Sequence, residues 1–380
     1  MATEIRTYFV TCARGLEAVL AGELSLLEAA SVAPGRGGVA CSGPRELLYR
    51  ANLELRTAIR VLWPILEAEV DSPEALYDAV RAVDWSRYLT PEHTLAVDAN
   101  VRDSRITHSH YAALKVKDAI CDWFVDRMGR RPSVDTEEPL VKFNLHLSHD
   151  HLVLSLDSSG ASLHKRGYRP VQVKAPLNEA LAAGLIRLSG WTPGQTLVDP
   201  MCGSGTLPIE AAWMALDRPP GLTRRRFGFM GWPDFDVPLW TGMRDQARKR
   251  MATTLSSQIL GSDLRGDAVH WAKENARAAG VGHLLRFSQN DACALSPPKT
   301  APGWLLCNPP YGERLGEEKQ ARQLYRRWGE HLRTHWAGWR VWVFGTLRSL
   351  PDDLGLTPVQ SVPLWNGRLA CRWWGFQIPA

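Results

Sequence analysis

No pair of cysteines in this sequence has CxxC spacing, and no apolar run approaches the roughly 20 residues that a membrane helix needs. The seven cysteines (Cys12, Cys41, Cys121, Cys202, Cys293, Cys307 and Cys371) are odd in number and scattered over 380 residues, which argues against a disulfide framework. The eleven histidines form no ligand pattern with them, so no metal is expected. His108 and His110 lie two apart, as do His149 and His151, and that is the wrong spacing for one face of a helix. There is no GK[ST] phosphate loop, no internal repeat and no low-complexity tract. The opening MATEIRTYFVTCARGLEAVL has acids early and neither a signal-peptide core nor a cleavage site. These absences predict a cytoplasmic protein away from membranes.

The composition is that of an ordinary globular chain, 45% hydrophobic and 22% charged. Its length predicts two or three domains. The net charge of +5 leans mildly toward an acidic partner such as nucleic acid. The sixteen tryptophans are expected mostly in the core, with a minority near arginines as candidates for stacking on bases.

Three regions follow from periodicity. Residues 1–57 read as a small α+β unit, with strands in TYFVTC and GGVACSG and helices over Gly15–Ala30 and Pro44–Leu53. Residues 58–165 read as a second α+β unit. It has a long helix near His108–Met128 and a hairpin of VKFNLHLSHD and HLVLSLDSS. Residues 166–380 alternate strand and helix, which predicts an open, doubly wound, mostly parallel sheet with a late antiparallel strand. A stretch at about 216–256, rich in Arg, Pro, Gly and aromatics, interrupts that alternation as an insertion.

The strongest chemical signal is TLVDPMCGSGTLPIEAA. A strand ends at Asp199, and a turn through Pro200, Met201, Cys202, Gly203, Ser204 and Gly205 feeds a helix at Thr206. Glycines let backbone approach a ligand, and the helix start offers free N–H groups. The stretch is not GxGxxG, and an acid before the turn repels phosphate. It suits a cation, such as the α-amino group of S-adenosylmethionine. An adenosine ligand also wants an acid at the end of the second strand, usually ~20 residues on. Asp263 is the preferred candidate once the insertion is set aside, with a helix N-cap as its alternative role. Asn290 and Asp291 close the third strand, and that carboxylate can accept from an adenine amino group.

CNPPYGERL closes the fourth strand. Prolines cannot continue a ladder or helix, so the backbone there is rigid. Asn308 and Pro309 offer carbonyl oxygens that can accept both hydrogens of an exocyclic NH₂, Pro310 stiffens the turn, and Tyr311 offers a face to a flipped base. A proline turn without chemistry is the alternative. Ligands in such sheets bind beyond the carboxyl ends of the strands, so both motifs converge on one crevice. Cys202 and Cys307 flank it with no basic neighbour to make a thiolate, and read as structural.

With these residues in view, the third region resembles the amino-methyltransferases with an Asn-Pro-Pro-aromatic motif. Nearly the whole chain resembles the bacterial THUMP-domain guanine-N2 RNA methyltransferases of the 23S ribosomal RNA group. The resemblance is carried by FVTCARGLEAVLAGEL, HSHYAALKVKDAICDWF, GRRPSVD, LHKRGYRPVQVKAPLNEALAAGLIRLSGW, DPMCGSGTLPIEAA, FGFMGWPDFD and NPPYGERL. It implies a ferredoxin-like module, a THUMP domain that binds structured RNA, and a Rossmann-like methyltransferase using S-adenosylmethionine. It places Asn178 and Glu179 beside the cofactor pocket, extends that pocket to Leu264, Ala292 and Asn308, and assigns catalysis to Asn308–Tyr311. Gly312–Arg314, by the same resemblance, tilts the base toward guanine. Phosphate contacts are expected from Lys115, Lys117, Arg130, Arg131, Lys165, Arg166 and Arg169, and from Arg224–Arg226 in the insertion. The expected partner is 23S rRNA or a ribosomal precursor, bound by a monomer. Related enzymes with one catalytic domain modify transfer RNA, which stays open. A DNA adenine-N6 methyltransferase and a non-catalytic RNA-binding assembly factor are the further alternatives.

Overall fold

The computed structural model describes residues 4–169, 177–311 and 317–380. Gly312–Arg314, and the Pro170–Pro176 part of the junction motif, lie outside them.

The chain opens with β1 (Arg6–Cys12), α1 (Glu17–Leu26), β2 (Ser31–Gly35), β3 (Gly38–Gly43), α2 (Arg45–Glu54) and β4 (Ala58–Glu69). It continues through α3 (Pro73–Arg81), β5 (Thr94–Arg102), α4 (Ser109–Met128), β6 (Ser133–Val134), β7 (Val141–Ser148) and β8 (His151–Asp157). All eight strands form one sheet in the order β2-β3-β1-β4-β8-β7-β5-β6. β4 pairs antiparallel with β1 on one side and with β8 on the other. The first two regions therefore share a strand and are continuous through its backbone ladder. The polar link between β7 and β8 is a two-residue turn, with His149 at φ 54° and Asp150 at φ 63°. Positive φ at both positions matches the twist of paired strands.

The second half contains α5 (Glu179–Leu188), β9 (Leu197–Asp199), α6 (Thr206–Ala215), α7 (Val237–Arg250), β10 (Ile259–Asp263), α8 (Gly266–Ala278) and β11 (Arg286–Gln289). After these come β12 (Trp304–Cys307), α9 (Glu317–His335), β13 (Arg340–Gly345), α10 (Leu350–Leu354), β14 (Gln360–Asn366) and β15 (Leu369–Gln377). Their sheet runs β11-β10-β9-β12-β13-β15-β14. The first five strands are parallel, and β15 and β14 are antiparallel to their neighbours. The α/β class and the late antiparallel strand are as the sequence predicts. β14 was not foreseen: QSVPLWN carries Pro363, which a central strand excludes and an edge strand tolerates.

The insertion is a clamp between the halves. Phe229 stacks on Tyr49 at 4.5 Å, Trp240 meets Tyr49 edge-on at 6.0 Å, and Trp232 lies 5.8 Å from Trp63. A Cβ on Gly228 would fall 2.2 Å from the Asp157 carbonyl oxygen, so only glycine permits this approach to the end of β8. On the far side, the Arg14 guanidinium lies 3.9 Å over the Trp365 ring of edge strand β14. No helix among the described residues is long and apolar enough to cross a membrane.

Candidate active site

β9 is fully buried, and Asp199 is its last residue. The chain then turns through Pro200–Gly205 into α6. Gly205 takes φ +81°, and a Cβ there would press on Ala272 at 3.1 Å, so a side chain would be both strained and crowded. The turn is tied to its neighbours: Cys202 N–H donates to the Ser262 carbonyl at 2.8 Å, and Asn275 Nδ2 donates to the Ser204 carbonyl at 2.9 Å. Asp263, ending β10, accepts from Gly203 N–H at 2.9 Å and from Arg265 N–H at 3.0 Å. It does not cap α8, whose N-cap position is Arg265. Asn290 N–H reaches the Asp263 carbonyl at 3.0 Å, and Asp291 accepts from Cys293 N–H at 2.9 Å. Ala292 is buried and Leu264 is exposed.

β12 is also fully buried and delivers Asn308 to the same edge of the sheet. Its neighbour β9 has Val198 opposite Leu305, and β10 has Gly261 opposite Asp199. The ends of β9, β10, β11 and β12 therefore bring Asp199, Asp263, Asp291 and Asn308 to one crevice. The Tyr311 hydroxyl donates to Asn308 Oδ1, and the Tyr311 ring is edge-on to Phe344 at 6.1 Å. Tyr325 of α9 donates to the Pro310 carbonyl at 2.8 Å. Sequence reasoning missed Tyr325. The signal was present, since Ala321, Tyr325, Trp328 and Leu332 repeat at helical spacing on the buried face, and a buried tyrosine hydroxyl needs a partner.

Burial drives the electrostatics. It pushes the Asp199 carboxyl well above the usual carboxylate range, and the nearby Asp263 adds to the rise. Only Met201 N–H, at 3.2 Å, donates to Asp199 among the described residues, and no cation pairs with it there. The Cys202 and Cys307 thiols are likewise pushed far up by burial, so both are neutral. Among the described residues no group of histidine, cysteine and acid side chains could hold a metal.

These features fit S-adenosylmethionine. Among the described residues the buried Asp199 has no cation beside it and Gly203 has no atom within 4 Å of where its Cβ would be, while Asp263 and Asp291 present carboxylate oxygens at the next two strand ends. Binding a cation at Asp199 would favour its charged form. Its carboxyl is raised in the free protein, so binding should release a proton, and affinity should fall as pH drops below that raised value. Calorimetric titration in two buffers of different ionisation enthalpy reads the proton directly. Equal heats and a flat pH profile would rule the pairing out, and Asp199→Asn should flatten the profile.

Asn178 caps α5, its Oδ1 accepting from Ala180 and Leu181 N–H at 2.9 and 3.1 Å. Glu179 is buried and pairs with Arg169 at 3.3 Å.

The basic residues separate into two groups. Lys115 lies half-buried near the Tyr77 and Tyr111 rings, Lys117 pairs with Asp118, Arg130 pairs with Glu92 at 2.8 Å, and Arg131 and Lys165 are exposed. Arg166 and Arg169 are corrected. Arg166 is 1% exposed and faces Glu210 at 3.5 Å, with hydrogen bonds to the Leu163 and Arg56 carbonyls. Arg169 is held by Glu179, the Leu177 carbonyl and Thr206 Oγ1. Arg224 is buried and donates to the Ser159, Ala161, Ser162 and Lys165 carbonyls. None of the three offers its guanidinium to a phosphate. Arg169 instead ties the first residue of α6 to the start of α5.

Comparison with known proteins gives matches along the chain. An RmKL-like methyltransferase domain pattern covers residues 166–374, a THUMP domain pattern covers 70–157, and an RlmL ferredoxin-like domain pattern covers 7–62. A ribosomal RNA large subunit methyltransferase K/L from Syntrophotalea carbinolica is 45% identical over 98% of this chain and 53% of its own length. The chain thus spans about half the length of the K/L relatives it matches. A putative RNA methyltransferase from Synechocystis, slr0064, is 41% identical over 96% of this chain and 95% of its own. The crystal structure of SMU.472, a putative methyltransferase complexed with SAH, superposes with a TM-score of 0.88 at 30% identity over 98% of each chain.

Proposed function

The chain belongs to the family of RmKL-like methyltransferases with THUMP and RlmL ferredoxin-like domains, and from that premise we propose that it methylates the N2 amino group of a guanosine in 23S rRNA, with S-adenosylmethionine as methyl donor. The observation that carries this reading is the convergence of Asn308 and Pro309 with Asp199 and Asp263 at one edge of the sheet. Bound S-adenosylmethionine supplies an electrophilic methyl group on a sulfonium. The names of the K/L relatives support ribosomal RNA as the substrate. The same reading takes residues 1–57 and 58–165 as the ferredoxin-like and THUMP parts and 166–380 as the catalytic part. It places a monomer in the cytoplasm, acting on 23S rRNA or a ribosomal precursor.

The chain's own groups divide the work. Asp199 holds the ammonium group of the donor, and Asp263 and Asp291 accept from its ribose and adenine. Asn308 Oδ1 and the Pro309 carbonyl accept the two amino hydrogens of the base and align its nitrogen. A carbonyl oxygen has two lone pairs, so Asn308 can keep the Tyr311 hydroxyl while accepting the base. Tyr311 thus orients the carboxamide and also offers its ring to the base. Tyr311→Phe keeps the ring and loses the orienting bond, which is worth about 0.5–1.5 kcal/mol. Single-turnover methyl transfer should slow ~3–10-fold, with unchanged affinity for S-adenosylmethionine; an unchanged rate would remove Tyr311 from this role.

The reading is tested by comparing nucleoside mass spectra of rRNA and tRNA from cells with and without the gene. Loss of one N2-methylguanosine from 23S rRNA is expected. Loss from tRNA alone would move the substrate, and transfer to DNA alone would overturn the RNA reading.

A further inference from the structure

Beside the crevice lies a cavity of about 420 Å³ lined by Gln320, Gln323, Leu324, Arg326 and Arg327 of α9. Its position follows from two contacts. Tyr325, between these residues in sequence, donates to the Pro310 carbonyl at 2.8 Å, so this part of α9 packs against the Asn308–Tyr311 loop. Arg327 lies 3.6 Å from Asp291 at the end of β11. The cavity therefore lies on the helix that supports this loop and reaches, through Arg327, toward the strand end that would hold adenine.

Its polar groups are two guanidiniums and two amides, set beside Leu324. The Arg326 and Arg327 side chains are 69% and 68% exposed. Arg326 is steered by Asp353, whose side chain is 5% exposed and which lies 3.5 Å from Arg326 and 3.7 Å from Arg322. Ser349 Oγ donates to the same carboxylate at 2.9 Å, and Glu318 binds the other side of Arg322 at 2.8 Å. A buried acid thus anchors two arginines at the surface, which limits the side-chain entropy lost on binding. The planar guanidinium matches two phosphate oxygens at once, and the Gln320 and Gln323 amides can donate to a third.

We propose that this cavity binds the phosphodiester backbone of the RNA strand that carries the target base. The inference rests on the reading of the crevice as an RNA methyltransferase site. It adds a second contact region, on the catalytic half itself, to the basic residues expected on and just beyond α4. Phosphate contacts here would fix the register of the strand while Asn308 and Pro309 take the base.

The test is Arg326→Ala/Arg327→Ala, which leaves Arg322 to pair with Asp353. With in vitro transcribed 23S rRNA, KM for RNA should rise about tenfold, and kcat at saturating RNA should hold. The slope of log affinity against log salt should flatten by about 1.4, from about 0.7 per phosphate on a single strand. Affinity for S-adenosylmethionine, titrated separately, controls for the contact with Asp291. Arg326→Lys/Arg327→Lys should recover most of the salt slope, and it covers the case in which the alanine pair folds poorly. An alanine variant that folds, with unchanged KM and salt slope, would overturn the proposal. If the wild-type protein transfers no methyl to any RNA, the catalytic reading fails instead, and filter binding of the same RNA to both proteins still decides the cavity.

Discussion

Asn308→Ala is expected to slow methyl transfer at saturating S-adenosylmethionine by ~10²–10³-fold, the loss typical of one preorganised polar group at a reacting centre. Asn308 is half-buried at the end of a fully buried strand, and the Tyr311 hydroxyl fixes its carboxamide. The amino group of guanine is a weak nucleophile because its lone pair is delocalised into the ring. Accepting both hydrogens at Asn308 Oδ1 and the Pro309 carbonyl pulls density toward nitrogen and turns its lone pair toward the methyl group. No strong base is needed before attack, since the nitrogen sheds its proton afterwards. Alanine removes one acceptor and leaves the backbone carbonyl, so a residue of activity should survive. The measurement is single-turnover transfer of labelled methyl to 23S rRNA at saturating donor, with donor affinity read in parallel. Full activity would assign the Asn-Pro-Pro-Tyr loop to structure alone.

How far the sequence foretold the site depends on what kind of signal each residue leaves. Asp199, Asp263 and Asn308 end hydrophobic runs, and a strand-ending polar residue in a parallel sheet points to the crevice by topology alone. Asp263 was hard to place because the insertion lengthens its distance from Asp199, yet its carboxylate still reaches Gly203 N–H. The insertion was legible as an interruption but not as a clamp, because Phe229 and Tyr49 meet over a separation that no local pattern encodes. The basic residues misled for a related reason. A charge in a loop is usually solvated, and nothing in HKRGYR says that Arg166 turns inward to Glu210. The partner, Glu210, lies in a helix whose other residues are almost all apolar, and a lone acid there is the trace such a pair leaves. The edge strand β14 and the register across β4 were invisible for the opposite reason, since pairing partners far apart in sequence leave no mark at either strand.

That buried pair supports the second large prediction. Glu210 is 0% exposed; Arg166 Nε lies 3.5 Å from its Oε1 as an ion pair, and the Tyr168 hydroxyl donates to that oxygen at 3.2 Å. Arg56 lies in the same cluster, its pKa lowered to about 10 by burial although Glu210 works the other way. Arg166→Met would strip Glu210 of its nearest cation in a site that water cannot reach. Breaking a buried pair from one side costs ~3–5 kcal/mol, whereas removing both charges is often close to neutral. The urea midpoint should therefore fall sharply in Arg166→Met and largely recover in Arg166→Met/Glu210→Gln. The consequence reaches the crevice, because Glu210 stands one turn beyond Thr206, where α6 leaves the glycine turn. Arg169 fastens that same Thr206 to Glu179 and the Leu177 carbonyl, so the strap from Leu163 to Arg169 supports α6 at two points. If this support sets the turn, donor affinity should drop in the single variant and return in the double one along with stability. Recovered stability without recovered affinity would separate the strap from the crevice, and a single variant as stable as wild type would mean that Arg56 and Tyr168 satisfy Glu210 without Arg166.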